Sequence, residues 1–289
     1  MLRQTKASHL LIEHPYFGWL AVLLKMSTKL KLVVRSHNIE GNRFKTIGKW
    51  WWNILWHYEK WTHKNADYNF FITEEDLFYA VNNFHLDASK CLVVTYGIEK
   101  NGVPSAEERS NAKNAIKQSH GIAKNEKILF FNGSFNYGPN LDALETIAKI
   151  ICPLLDQAGF AYKVIVCGPW LKSEFHHPNL IIKGYVDSIE PYFLAADIFL
   201  NPLTGGGGIK TKLVEALAFN ANAVSTKSGV AGVDPLLCNK KLTVVEDGDW
   251  ENFARCIIEK GSIGTDTPPE FYQHFYWGNI AKKAAEFIH

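Results

Sequence analysis

The sequence predicts an α/β protein with two domains, each built around a parallel sheet. From residue 126 onward, apolar runs that end near a glycine alternate with helical segments. This is the pattern of parallel strands that are covered by helices on both faces. A less regular alternation of the same kind fills the first hundred residues. The chain has 289 residues, of which 47% are hydrophobic, and this is enough to fill two cores of medium size.

Six strands are predicted in the second half of the chain. They cover residues 128–135, 161–168, 179–186, 197–203, 221–226 and 241–247. Helical periodicity appears between or after them, over residues 140–155, 188–196 and 250–260. Asp249 precedes the last of these helices and is predicted to be its N-cap. The sequence Asp247-Gly248-Asp249 is therefore not interpreted as a metal-binding D-x-D motif.

The first half predicts strands over residues 9–14, 31–37 and 90–99, and a strand that begins at Tyr68 and leads into a helix capped by Thr73. Helices are predicted over residues 17–26 and 46–65. Residues 101–124 are polar, charged and aperiodic, which is typical of a linker with some helix. We therefore predict a first domain over residues 1–100, a linker over 101–126, and a second domain over 127–289 with a closing helix at its end.

The most informative segment for function is the run of four glycines at Gly205–Gly208, between a predicted strand and a helix. Glycines let a ligand approach the backbone closely. The first N–H groups of the following helix lack partners within the helix and carry partial positive charge, so the site favours an anion such as phosphate. Lys210 adds a full charge, and the carboxylate of Glu215 suits the hydroxyls of a ribose or a sugar. The segment predicts a nucleotide-sugar site.

Two better-known phosphate motifs are excluded by their spacing. The Walker pattern needs a lysine directly after its last glycine, whereas Ile209 separates Gly208 from Lys210. The dinucleotide fingerprint needs Gly or Ala at the position of Lys210. Taken alone, the segment is also consistent with a flexible loop and solvated lysines. Binding is favoured because Gly133, Gly168 and Gly184 end other predicted strands on the same edge of the sheet.

Composition excludes several other classes of protein. The net charge of +2 gives no sign of nucleic-acid binding. Five cysteines are scattered without a C-x-x-C motif, and we interpret them as buried side chains in a reducing compartment. No signal peptide or membrane-spanning run is predicted. We expect no obligatory metal, no cofactor, and a cytoplasmic location that includes attachment to the inner face of the plasma membrane.

Several segments resemble the retaining glycosyltransferases of the GT-B fold, in the large bacterial class that uses nucleotide sugars (group 1, or family 4 type). In the second half they are FFNGSFNYGPNLDAL, GYVDSIEPYFLAADIFLNPL and GGGGIKTKLVEALAFNANAVSTKSGVAGV. In the first half, VVRSHNIEGNRF, FFITEEDL and CLVVTYGIE follow the order of the family. The resemblance covers most of residues 9–289. It implies two Rossmann-like domains, with the acceptor on the N-terminal side and the donor on the C-terminal side.

The resemblance also implies roles for individual residues. Glu215 matches the glutamate that holds the ribose of the donor, and His37 matches a histidine near the reacting sugar, which we expect to be catalytic. Asn38 and Glu40 lie in the same loop as His37 and are expected to contact hydroxyls of the donor sugar or the acceptor. The other implied donor-binding residues are Gly133, Ser134, Asn140, Tyr185, Val186, Gly206, Gly207, Gly208, Ile209 and Lys210.

Three features depart from the family pattern. Many relatives have a second glutamate at the position of Gly207, and many have an Arg and a Lys after the glycine that corresponds to Gly133. Asn140 or Lys210 would have to compensate for the missing cations, and the sugar-hydroxyl contact of the missing glutamate is absent or supplied elsewhere. The first strand of the family and its glycine loop should also precede His9 by most of a half-domain. The N-terminal domain is therefore expected to be incomplete, which makes turnover an open question.

Five of the nine tryptophans fall in the helix predicted over residues 46–65. One helical stripe is predicted to be core, namely Trp51, Ile54, Leu55, Tyr58 and Trp61. Trp52 and Trp56 lie beside that stripe, and Arg43, Lys45 and Lys49 lie just upstream. Aromatic side chains next to cations suit a bilayer surface, so a membrane partner is predicted here. A helix that lines the cleft or the domain interface is the alternative.

Together these observations predict an enzyme that moves a sugar, with retention, from a nucleoside-diphosphate sugar to a hydroxyl acceptor. By analogy with the family, the product would belong to cell-surface polysaccharide or glycolipid assembly. The start of the helix after Gly208, together with Lys210, would stabilise the leaving diphosphate. Two alternatives stay open, a non-catalytic nucleotide-binding relative or subunit and a nucleotide-sugar epimerase.

Overall fold

The computed structural model describes residues 7–171, 175–261 and 264–289. The strands in this part of the chain are β1 (His9–Glu13), β2 (Lys31–Ser36), β3 (Tyr68–Phe71), β4 (Cys91–Val93), β5 (Lys127–Asn132), β6 (Tyr162–Cys167), β7 (Leu180–Gly184), β8 (Ile198–Asn201), β9 (Asn222–Thr226) and β10 (Leu242–Val245). The helices are α1 (Gly18–Ser27), α2 (Glu40–Thr46), α3 (Trp52–Asn65), α4 (Glu74–Phe84), α5 (Ala106–His120), α6 (Gly138–Thr146), α7 (Cys152–Gln157), α8 (Glu190–Ala195), α9 (Thr211–Ala218), α10 (Trp250–Lys260), α11 (Pro269–Phe275) and α12 (Trp277–Ile288).

Contacts divide the chain into two compact units. The first unit contains the described residues up to Gly97, residues 207–209, and Trp277–His289. The second unit contains Ile98–Gly206 and Lys210–Tyr276. The last helix, α12, thus groups with the first unit, whereas the sequence boundaries assigned it to the second domain.

The first unit is built on a parallel sheet with the strand order β1-β2-β3-β4. Successive side chains of a strand point to opposite faces, and this sheet is covered on both. Leu32 and Val34 of β2 pack against α1 on one face. On the other face Val33 packs with Phe70 against Ile280 of α12. This packing explains why α12 belongs to the first unit.

The second unit is built on a parallel sheet with the order β10-β9-β8-β5-β6-β7. Leu129 and Phe131 of β5 pack in a core that includes residues of α6, α7 and α10. Phe130 points to the opposite face and contacts Phe193 of α8, with ring centroids 5.1 Å apart. The strand order reverses between β5 and β8. In open parallel sheets such a reversal marks the ligand-binding crevice, at the carboxyl ends of the strands.

The α/β architecture predicted from the sequence is confirmed, and each of the ten predicted strands is present. Two helical predictions need correction. The single helix expected over residues 46–65 is divided, because α2 ends at Thr46 and Gly48 turns the chain with a φ of 71° before α3 begins at Trp52. Most of the expected linker is the helix α5, whose start carries a full capping box between Ser105 and Glu108.

The α5 helix belongs to the second unit because it packs against α8. Arg109 of α5 donates to the carbonyl oxygens of Leu194 and Ala196, at 3.4 and 3.0 Å. These carbonyls lie at the end of α8, where a cation is favourable. Its sequence looked like a linker because the main anchor is a polar side chain, which a search for apolar periodicity does not detect.

The prediction that the apolar stripe of α3 is its buried face is wrong. Ile54 is 66% exposed and Trp61 is 42% exposed, whereas Glu59, Thr62 and His63 are buried. The inner face of α3 is therefore largely polar, and two of its large apolar residues point outward.

The buried polar residues of α3 each have a structural partner. The carboxylate of Glu59 accepts the backbone N–H groups of Glu40 and Gly41 at the start of α2, at 3.0 Å each. The ring of His63 lies between Ser36 Oγ at 2.9 Å and Asn69 Oδ1 at 2.8 Å, and so links β2 to β3. Hydrogen bonding selects the buried face of this helix because buried polar groups must be paired. Within the described residues, no helix is both long enough and apolar enough to cross a membrane.

Candidate functional site

The candidate donor site lies in the second unit, where the strand order of its sheet reverses. β5 and β8 are hydrogen-bonded neighbours at that point. Gly133 follows β5, and the loop with Gly205 and Gly206 follows β8. Both segments therefore leave the same carboxyl edge of the sheet. The carboxyl edge at a reversal is the place where a ligand is expected.

Gly133 forms a corner with Ser134 and Asn140, two of the other candidate residues. Its N–H donates to the carbonyl of Cys167 at 3.1 Å. A Cβ at Gly133 would lie 2.8 Å from the amide nitrogen of Asn140. That amide in turn donates to the carbonyl of Ser134 at 2.9 Å. The amide of Asn140 is thus fixed at the edge of the sheet.

The glycine loop adopts conformations that require glycine. Gly206 has a φ of 90° and Gly208 a φ of 72°, which side-chain-bearing residues rarely adopt. A Cβ at Gly206 would also lie 2.6 Å from the hydroxyl of Tyr137. Contacts group Gly207, Gly208 and Ile209 with the first unit. α9 begins two residues later, and its start has no side-chain cap among the described residues.

Lys210 places a buried cation at this helix start. Its side chain is nearly inaccessible, and its Nζ donates to the carbonyl of Gly206 at 2.5 Å. Burial lowers the pKa of the Lys210 ammonium. A neutral carbonyl compensates such a charge less well than an anion does. The uncapped start of α9 and the ammonium of Lys210 together form a site that favours an anion.

The remaining donor candidates lie around this centre. Glu215 is on α9, one turn inside the helix, and is half-buried. Tyr185 and Val186 follow β7 at the end of the sheet, and Tyr185 is largely exposed. Gly184, which precedes them, has a φ of 68°. The structure therefore puts these candidates on the same edge as Gly133 or on the helix that begins there.

The candidate residues of the first unit lie at the carboxyl ends of β1 and β2. Glu13 pairs in register with Arg35, so the next residues along each strand come side by side. The rings of His14 and His37 have centroids 4.2 Å apart. His37 Nε2 lies 2.6 Å from Glu13 Oε2. The side chain of His37 is 41% exposed, so this ring is accessible to a ligand.

Asn38 and Glu40 differ in their accessibility. Asn38 is partly exposed in the loop between His37 and α2. Glu40 is buried, and its carboxylate already accepts hydrogen bonds from Arg43 at 2.6 Å and from the hydroxyl of Tyr16 at 2.5 Å. These partners give Glu40 a structural role, whereas Asn38 can reach a ligand.

Three residues at these edges were not singled out from the sequence, namely Glu13, His14 and Tyr137. The sequence did indicate that two predicted strands, over residues 9–14 and 31–37, each end in a histidine. Which strand ends lie together depends on the pairing of β1 with β2, and apolar pattern alone does not give that pairing. Among the described residues, no group of three or more His, Cys, Asp or Glu side chains is placed to hold a metal ion.

Comparisons with known proteins show what this chain resembles. Residues 126–260 match the family model described as "Glycosyl transferases group 1". No curated protein matches the chain at a significant level. A glycosyltransferase from Rickettsia africae ESF-5 is 14% identical with a TM-score of 0.71, and the match covers 99% of this chain and 77% of that one.

Two further solved structures have the same fold. Anabaena Alr3699/HepE, solved in complex with UDP and glucose, is 17% identical with a TM-score of 0.69, over 96% of this chain and 77% of that one. WaaG, a glycosyltransferase involved in lipopolysaccharide biosynthesis, is 14% identical with a TM-score of 0.62, over 94% of this chain and 81% of that one. Residues 126–260 thus match the group 1 glycosyltransferase family, and the chain has the GT-B fold of these solved glycosyltransferases.

Proposed function

We propose that this chain transfers a sugar, with retention of anomeric configuration, from a nucleoside-diphosphate sugar to a hydroxyl acceptor. The observation that carries the proposal is the start of α9, where a four-glycine loop, the buried ammonium of Lys210 and an uncapped helix meet at the reversal of the sheet. A diphosphate bound there would replace the carbonyl of Gly206 as the partner of Nζ. The complex of HepE with UDP and glucose supports a nucleotide-sugar donor.

In this proposal the protein acts by binding and by electrostatic stabilisation. The bond between the anomeric carbon and the diphosphate oxygen breaks, and negative charge develops on the leaving diphosphate. The N–H groups at the start of α9 and the ammonium of Lys210 stabilise that charge. The acceptor oxygen bonds to the anomeric carbon, and its proton passes to an oxygen of the leaving diphosphate. Glu215 holds the ribose, and His37 accepts a hydrogen bond from a hydroxyl of the sugar.

Calorimetric titration of UDP, GDP and ADP tests the donor site. We expect one of the three to bind to the wild type, and Lys210→Met and Glu215→Ala to weaken that binding about tenfold or more, because each removes a charged contact. Lys227→Met is the matched control, since Lys227 is an exposed lysine of the same unit that pairs with Glu246. Lack of binding by all three nucleotides to the folded wild type would exclude the donor site. Equal binding by the Lys210 and control variants would exclude the role of Lys210.

Turnover experiments then separate the remaining possibilities. With the matching donor and a glycan or lipid-linked acceptor, NMR of the product gives the anomeric configuration, and inversion would contradict the proposal. Conversion of the donor without an acceptor would instead favour an epimerase. Binding without turnover would favour a non-catalytic nucleotide-binding chain. We propose that no metal is required, so turnover should persist in EDTA.

We also infer that the first unit carries a membrane-binding surface. Residues 13–67 contain nine Lys and Arg residues and four carboxylates; Glu40 and Glu59 are buried, and Glu13 and Asp67 pair with Arg35 and Lys25. The whole chain has a net charge of +2, so positive charge is concentrated here. The same stretch has many exposed large apolar side chains, namely Tyr16, Phe17, Trp19, Leu20, Leu23, Met26, Ile47, Trp50, Ile54 and Trp61. Cations beside exposed aromatic and aliphatic side chains fit an anionic bilayer.

The contacts refine which of the predicted residues belong to this surface. Lys45 Nζ lies 4.7 Å from the ring centroid of Trp52, so both remain part of it together with Lys49. Trp56 packs inward and donates from Nε1 to the hydroxyl of Tyr79 at 3.0 Å. Arg43 is held by Glu40. We therefore assign the apolar contact mainly to α1 and to Trp50, rather than to Trp56.

Sedimentation with lipid vesicles tests this surface. The wild type should bind vesicles that contain phosphatidylglycerol, and binding should weaken with added salt. Leu23→Ser with Met26→Ser should reduce binding, whereas Leu236→Ser, an equally exposed residue of the second unit, should not. Equal binding to neutral phosphatidylcholine vesicles would contradict the inference. A dimer in solution that buries this apolar surface would also contradict it. A positive result would favour a location on the inner face of the plasma membrane and a lipid-linked acceptor.

A further inference from the structure

The pair formed by Glu13 and His37 is held by more contacts than its partly exposed position would suggest. Arg35 donates from Nη1 to both carboxylate oxygens of Glu13, at 3.3 Å each. Arg35 is itself fixed, because its Nη2 donates to the carbonyls of Val94 and Thr95 at 3.2 and 3.3 Å. The acceptor oxygen for His37 is therefore held by an arginine that spans the end of the sheet.

The neighbouring residue, His14, supports the ring of His37 from a strained position. Its backbone has a φ of 64° and a ψ of 156°, a conformation that is essentially confined to glycine. Its N–H donates to the carbonyl of Arg35 at 2.7 Å. Its ring packs between His37 and Tyr16, with centroids 4.2 and 5.5 Å away. Strained residues cluster at functional sites, so this outlier points to function at the same edge.

The chemistry of the pair determines which nitrogen of His37 is left to accept a hydrogen bond from a substrate. A carboxylate can only accept a hydrogen bond, so the Nε2 that lies 2.6 Å from Glu13 must carry the proton. In a neutral imidazole the other nitrogen, Nδ1, is then an acceptor. Among the described residues, no hydrogen bond to Nδ1 of His37 is present.

We propose that Glu13 is a positioning residue that, anchored by Arg35 and with His14 against the ring, holds His37 in the Nε2–H tautomer and leaves Nδ1 as the acceptor for a substrate hydroxyl. This inference rests on the proposed function, in which His37 contacts the sugar. Glu13 acts through His37 and does not itself contact the reacting atoms. The same logic applies to metal-ligating and catalytic histidines, where a carboxylate on the far nitrogen fixes the tautomer.

Nitrogen NMR of the full-length chain tests the tautomer without any need for turnover. Long-range proton–nitrogen spectra, recorded near pH 8 where an ordinary imidazole is neutral, distinguish the two tautomers, and His37→Asn assigns the signal. The wild type should show Nε2–H alone, Glu13→Ala should show a mixture, and Glu13→Gln, which keeps an acceptor oxygen, should restore most of the wild-type pattern. Glu246→Gln, an exposed paired carboxylate of the second unit, should change nothing. An Nδ1–H signal in the wild type, or an unchanged tautomer in Glu13→Ala, would overturn the inference.

Kinetics separate failure of this inference from failure of the proposed function. With donor and acceptor present, Glu13→Ala should lower kcat about tenfold or more with little change in KM for the donor, as for other residues that orient a reacting ligand. Full turnover by His37→Asn would reject the role of His37 in the proposed function, whatever the tautomer. A loss of turnover in His37→Asn with none in Glu13→Ala would reject the positioning role of Glu13 alone.

Discussion

Two helices, α10 of the second unit and α3 of the first, place their apolar side chains in opposite ways. In the second unit α10 buries Phe253, Ala254 and Ile257 in the core below the sheet. In the first unit α3 buries Glu59 and His63 and exposes Ile54. The α10 helix mainly covers a sheet, so its apolar face is its inner face. The α3 helix must also pair with the start of α2 and with two strands, so hydrogen bonding sets its orientation.

A matched pair of isoleucines tests this contrast and should give the largest effect. Ile257 is completely buried, so Ile257→Ala should lower the free energy of unfolding of the second unit by about 2–5 kcal/mol. Ile54 is exposed, so Ile54→Ala should change the stability of the first unit by no more than about 0.5 kcal/mol. Urea unfolding monitored by circular dichroism gives both values. Similar losses for both variants would mean that α3 buries Ile54 after all.

The contrast also explains how much of the fold follows from the sequence. The strands β5, β6, β8 and β9 are buried on both faces, so continuous apolar runs such as the one at Ile128–Phe131 mark them clearly. The inner face of α3 could not be predicted, because the partners of Glu59 and His63 come from α2, β2 and β3. Apolar periodicity contains no information about those partners.

The candidate site, like the fold, has parts that could be predicted from the sequence and parts that could not. The glycine loop and Lys210 were predictable, because a local strand–loop–helix segment already contains the requirements for binding an anion. The pairing of Glu13 with His37 was not, because it depends on the register of two strands that are separated by a helix. Local motifs were therefore easier to find than sites assembled from distant segments.

The polar core of α3 predicts an unusual dependence of stability on pH. Burial raises the pKa of Glu59 from 4.5 to about 7, and burial lowers the pKa of His63 from 6.5 to about 4. Between pH 4.5 and 6.5, folded Glu59 keeps a proton that the unfolded chain has released, so its contribution to stability falls as pH rises. Over the same range unfolded His63 holds a proton that the folded state lacks, so its contribution rises with pH. Each slope is on the order of 1 kcal/mol per pH unit, and the two oppose each other.

Single variants should separate these two opposing contributions. In Glu59→Gln the free energy of unfolding should rise from pH 4.5 to 6.5 relative to the wild type, because the effect of His63 remains. In His63→Asn it should fall over the same range, because the effect of Glu59 remains. Urea unfolding at several pH values measures both slopes, with Glu246→Gln as a control that should follow the wild type. If the stability curves of both variants run parallel to that of the wild type, the shifted pKa values of the buried Glu59 and His63 are contradicted.

The smallest expected effect on stability concerns the backbone strain at each candidate site. At the donor site the positive φ angles of the loop are borne by Gly206 and Gly208, whereas at the carboxyl end of β1 one is borne by His14. His14→Gly should relieve about 1–3 kcal/mol of strain. It also loses ring packing worth about 0.5–1.5 kcal/mol and gains chain entropy in the unfolded state worth about 0.5–1 kcal/mol. These contributions largely cancel, so stability should stay within about 2 kcal/mol of the wild type, while turnover falls because His37 loses its support. If strain at His14 serves function, His14→Gly should lose turnover while its stability changes little. If His14→Gly instead keeps full turnover, the strain at His14 belongs to the fold alone.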